Sequence, residues 1–247
     1  SLSVLSRLTQ LIQLNHIHYQ MLKISICLLL FLSVYQDTLG QYFYRFSTDF
    51  SVKEEMPDGS QALTLGTIYY DAHQRKLVMD IDFPEKKVIY AHDSLVYTIV
   101  DDSVFRKSNT FINFFEGNLY HLAMTNKLNS FGLENSGAYE ITDIQRNNNR
   151  LISTWEPLGK YKDVTGKILT LNEGKKLTGI VFYNKDGKLL SKQNLNDYRN
   201  YSGLLFPHEV VQQLYTEEEK YLYKLYTYKN VVINEMGNEN WYNYHLP

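Results

Sequence analysis

The chain has 247 residues, 44% of them apolar and 21% charged, with a formal charge of −2. That is enough apolar mass for one globular core and excludes a disordered chain. The near-neutral balance gives no electrostatic footing for nucleic acid, and a single cysteine, Cys27, excludes any intrachain disulfide.

Ser1 to Gln20 precede the first methionine and read as an upstream extension, or as a long leading segment with Leu5, Leu8 and Ile12 on one helical face. Met21-Leu22-Lys23 is a short basic region, and Ile24 to Val34 is an apolar run of about eleven residues, within signal-peptide range and short of a membrane span. Residues 21–40 are therefore expected to be a signal peptide cut after Gly40, leaving a single exported domain over 41–247 with a periplasmic location. Cleavage would remove Cys27, and with it every thiol. Loss of Arg7, Lys23 and Asp37 would move the charge from −2 to −3.

From Tyr42 the apolar period is two: Tyr42, Tyr44, Phe46, Phe50 and Val52 alternate with polar residues, as a strand with one buried face requires. Pro57-Asp58-Gly59-Ser60 is turn chemistry leading into a strand at Ala62 to Tyr70. Leu77 to Phe83 follows, with Leu77, Met79, Ile81 and Phe83 on one face and Asp80 and Asp82 on the solvated one, and Pro84 ends it. Val88 to Ala91 and Leu95 to Val100 make a further hairpin around His92-Asp93-Ser94.

The period then changes. Phe111, Phe114, Phe115, Leu119 and Leu122 stand at helical spacing after the potential caps Ser108, Asn109 and Thr110, which predicts a helix over about 110–126. Strands resume at Ala138 to Arg146, Leu151 to Trp155, Val164 to Leu171, Leu177 to Asn184, Pro207 to Leu214 and Tyr221 to Asn234, separated by Asn- and Gly-rich turns. A single helix cannot cover both faces of such a meander, so the expected architecture is mainly β: a curled antiparallel sheet, or half-barrel, closed by a helical lid.

No nucleophile elbow, phosphate loop or dinucleotide fingerprint occurs, Glu217-Glu218-Glu219 reads as a solvated turn, and His73, His92, His121, His208 and His245 lack the spacing of metal ligands. The chain therefore reads as a non-enzyme without a cofactor or metal. What stands out is the aromatic load of 21 Tyr and 12 Phe, which is either ordinary core or the lining of an apolar cavity. Candidate cavity residues are Tyr44, Phe46, Phe50, Leu77, Met79, Ile81, Phe83, Leu95, Tyr97, Phe111, Phe114, Phe115, Leu119 and Trp155.

Six segments stand out in order: Gly66 to Tyr70, Leu77 to Pro84, Val88 to Tyr97, Leu177 to Gly187, Gly203 to Pro207, and Trp241 to Pro247. Taken in that order they resemble the outer-membrane lipoprotein carrier family with the LolA-like fold, with Ser94 at the family's turn glycine. The resemblance implies a periplasmic monomer whose half-barrel shelters lipoprotein acyl chains or a similar lipid, with a membrane-bound donor or acceptor protein as partner. The alternative it leaves open is a lipid-binding or sensing module of the same fold without a transfer role.

Overall fold

Alternation at period two turns most of the chain into strands. The computed structural model describes residues 42–92, 95–109, 119–134, 136–216 and 220–247, and thirteen strands of these form one antiparallel sheet. A first meander contains β1 (Arg45–Glu55), β2 (Gln61–Asp71), β3 (Lys76–Phe83), β4 (Lys87–His92), β5 (Leu95–Val100) and β6 (Ser103–Asn109). A second contains β7 (Tyr139–Asn147), β8 (Arg150–Pro157), β9 (Ile168–Glu173), β10 (Lys176–Tyr183), β11 (Leu189–Tyr201), β12 (Leu204–Tyr215) and β13 (Tyr221–Ile233). The one non-sequential pairing, β1 with β13, joins them, so β6 and β7 are the two edges and the sheet does not close on itself.

Two strands depart from the sequence reading. The β6 segment overlaps the expected helix caps, and β11 lacks the apolar face that marks its neighbours, since most of its residues are exposed. Among the described residues, the expected helix over 110–126 is represented by α1, which covers Leu119–Met124. Asn126 ends it in the left-handed region (φ 57°), with the Lys127 amide donating to Leu122 and the Asn126 amide to Ala123, the Schellman pattern. Phe111, Phe114 and Phe115 lie outside the described residues, as do residues 1–41, Asp93-Ser94 and Glu217 to Glu219. A second short helix, α2 (Glu239–Tyr242), stands near the C-terminus, where no helix is expected.

The segment 119–134 bridges strands that stand well apart in the sheet. His121 of α1 shares a 2.7 Å hydrogen bond with Tyr70 of β2, and the Asn129 carbonyl accepts one of 2.8 Å from Asn172 of β9. Those strands are six steps apart in the sheet, about 29 Å if it were flat. The segment from His121 to Asn129 thus ties these strands together, and one continuous apolar cluster that includes it runs from Ala91 of β4 to Trp155 of β8.

Candidate functional site

On the inner face, Phe46, Phe50, Leu77, Ile81 and Trp155 are all buried in one continuous apolar cluster, with Met79 and Leu119 packed at its margin. The residues that hold it together stand outside the candidate cavity residues: Tyr70, Phe206 and Tyr228 from the sheet, and Tyr120, Leu122 and Met124 from α1, of which the helical period marks Leu122. Tyr120 packs its ring against Phe46 at 5.1 Å, Phe206 at 5.8 Å and Tyr228 at 5.8 Å. The two phenols of Tyr120 and Tyr228 share a hydrogen bond, and burial pushes both well above the ordinary tyrosine value, so both stay protonated. Sequence alone gives a weak signal here, because Phe206 stands just ahead of Pro207, where a strand is expected to begin.

The inner face changes character along β1 and β13. Phe50 and Val52 give way to Glu54, which lies opposite Lys224 and forms an ion pair with it. Tyr226 beside them donates a long hydrogen bond of 3.5 Å to Gln212. Aromatic surface therefore grades into a charged and amide-bearing end.

The remaining candidates do not join this cluster. Perfect alternation would place Phe83 beside Ile81, but β3 carries a bulge: Gly66 opposes Ile81 and Leu65 opposes Phe83, which leaves Asp82 as the extra residue. The bulge sends Phe83 to the outer face, 47% exposed. Leu95 and Tyr97 have the outer parity as well, since Tyr97 pairs with Tyr90 while Val96 faces the inner cluster. Tyr44 precedes β1, where its amide donates to Asn234 and its ring meets His73.

The outer face has its own small cluster of Val78, Tyr90 and Ile99, covered by the C-terminal segment. Trp241 stacks on Tyr69 at 5.4 Å and on Tyr244 at 6.0 Å, and Tyr244 reaches Tyr90. Arg45 holds this segment through paired bonds to Glu239 of 2.6 and 2.9 Å and sits 4.4 Å from the Tyr242 ring. The Trp241 to Pro247 motif thus acts as a strap on the outside of the sheet.

Asp80 is not the solvated residue its alternation predicts. Its Oδ1 is buried without a partner among the described residues, and burial, followed by the charge of Asp82, raises its pKa. A carboxyl whose folded pKa is raised binds its proton more tightly when folded, so it contributes stability at low pH that is lost as pH rises towards neutrality. Asp80→Asn is expected to raise the melting temperature at pH 7 by about 2–4 °C, roughly 1 kcal/mol in a domain of this size. The gain should vanish near pH 3, and a gain independent of pH in calorimetric scans would contradict this account.

Among the described residues no group of three or more His, Cys, Asp or Glu could hold a metal, and no helix is long and apolar enough to cross a membrane. No family model matches the chain, and no curated protein matches it in sequence. Solved structures do share its architecture. A LolA superfamily protein from Nitrosomonas europaea is 13% identical over 80% of this chain and 90% of its own, with a TM-score of 0.55. A DUF1329 family protein from Desulfovibrio piger is 10% identical over 84% and 91%, with a TM-score of 0.57. A domain described as an outer membrane lipoprotein-sorting protein, from Vibrio parahaemolyticus, is 11% identical over 81% and 90%, with a TM-score of 0.54.

Proposed function

We propose that this chain, which has a LolA-like fold, is an exported, non-enzymatic carrier. In this reading it holds the acyl chain of a lipoprotein, or a similar amphiphile, against the inner face of its sheet. One observation carries the reading. Among the described residues the large aromatic face is covered by the segment 119–134 and by no second sheet, and it grades into the polar end at Glu54, Lys224 and Gln212. An amphiphile needs both halves of that gradient. Each methylene withdrawn from water is worth about 0.8 kcal/mol, so a chain of ordinary length can repay the displacement of a cover held by a few side chains.

In this reading Phe46, Phe50, Leu77, Met79, Ile81, Leu119 and Trp155 line the binding face, and the described part of the lid is α1. A membrane-bound donor or acceptor would exchange the cargo, and the protein works as a periplasmic monomer. The second reading, a sensing module, shares the same face and differs in having no acceptor.

Native mass spectrometry of protein purified from the exported fraction is expected to show a bound amphiphile. After lipid removal, the protein should displace a fluorescent fatty acid from solution. No bound lipid and no uptake would end both readings. Transfer of radiolabelled lipoprotein to acceptor membranes separates carrier from sensor.

A further inference from the structure

We propose a second ligand site on the outer face: a groove across the ends of β3, β2, β1 and β13 that binds a single-chain zwitterionic amphiphile, with phosphate at Lys53 and ammonium at Glu55. The groove is an open hollow of about 740 Å3, within the range of small-ligand sites, and Leu63, Phe83, Pro84, Tyr223 and Leu225 supply its apolar lining. The register explains why these residues meet. Lys53 stands directly between Leu63 on β2 and Leu225 on β13, so all three share the outer face, and Glu55 stands between Gln61 and Tyr223 in the next row. The bulge at Asp82 swings Phe83 onto the same face, opposite Leu65, which is itself exposed. A second hollow of about 420 Å3 continues the groove past Tyr223 towards Pro57 and Lys220. The C-terminal strap covers this face at Tyr69 but not at Leu63.

The charges select the occupant. Lys53 and Glu55 are two residues apart on one strand, about 7 Å between Cα atoms. Neither has an ion-pair partner among the described residues, whereas Glu54, which also borders the groove, is neutralised by Lys224. A fatty-acid carboxylate at Lys53 would be repelled by Glu55, and a cationic head at Glu55 would be repelled by Lys53. A phosphoethanolamine head satisfies both at once while its chain lies on Leu63, Phe83 and Leu225. This site is separate from the inner face and stands whether or not that face carries cargo.

The test is calorimetric titration of the lipid-stripped full chain with monomeric lysophosphatidylethanolamine, beside a fatty acid and an alkyltrimethylammonium of equal chain length. The zwitterion should bind at least tenfold more tightly than either. Lys53→Glu and Glu55→Lys should each weaken it at least fivefold with unchanged melting temperature, and Leu63→Trp, which fills the groove from the solvent side, should abolish binding. A photoactivatable acyl chain should label Leu63, Phe83 or Leu225. Three results would overturn the site: no binding of the zwitterion, equal binding of the fatty acid, or labelling confined to Phe50 and Ile81 with the groove variants unaffected. Displacement of the zwitterion by an amphipathic peptide that binds more tightly would make the occupant a protein and overturn the lipid assignment.

Discussion

Gly66→Ala is expected to lower the melting temperature by about 6–12 °C, corresponding to roughly 3 kcal/mol in a domain of this size. Gly66 sits beside the bulge in β3, where β2 comes so close that a Cβ on residue 66 would overlap the Asp80 carbonyl and touch the Ile81 Cα. Both obstacles are backbone, so no side chain can swing away. The two strands would have to part, breaking ladder bonds in the middle of the first meander. Gly166 has the same constraint against the Asn184 carbonyl. Gly59→Ala is the control: its φ is +84° but nothing lies within 4 Å of its Cβ position, so it carries backbone strain alone and should cost only about 1 kcal/mol. Differential scanning calorimetry of the two variants separates close approach from backbone conformation. Equal losses would mean that β2 and β3 are not in such tight contact.

Leu122→Ala tests the cover, and its two effects should have opposite signs. Leu122 is buried at 1% exposure on the inner face of α1, among the rings that pack Tyr120 to the sheet. Truncating it removes buried methyl groups and leaves a cavity, which should cost about 2–5 kcal/mol of stability. On the carrier reading α1 competes with the ligand for one face, and a weaker cover raises the fraction of molecules able to accept cargo. Apparent affinity rises with that fraction, and 1.4 kcal/mol is tenfold, so a fluorescent fatty acid should bind at least about ten times more tightly, measured well below the melting temperature. If affinity falls or stays constant while stability drops, the segment 119–134 is ordinary core and the inner face is sealed.

Much of the sheet is readable from local pattern. In β1, Phe46, Phe50 and Val52 alternate with polar residues, because a half-buried antiparallel strand must present one apolar side, and in β3 Met79 and Ile81 are separated by Asp80 in the same way, although Val78 is buried on the outer face. The reading misses β11, whose less exposed positions include the polar Ser191 and Gln193, so that its burial alternates but its hydropathy does not, and misplaces Phe83, because a bulge consumes a residue without leaving a mark in the local pattern. Leu95 and Tyr97 go astray for a related reason: β4 and β5 carry apolar residues on both faces, so alternation cannot say which face is inner.

The sequence by itself determined the strand-rich class, the antiparallel hairpins and the aromatic wealth, since each is encoded within a few neighbouring residues through period, turn chemistry and composition. Only the tertiary structure decided that β1 pairs with β13, which brings Glu54 against Lys224 and Lys53 between Leu63 and Leu225 across some 170 residues of chain. It also decided that Tyr120 and Leu122 cover the inner face and that Trp241 straps the outer one. Those are contacts between distant segments, selected by the free energy of burying apolar surface over the whole domain, and no local pattern records which distant partner will supply the cover.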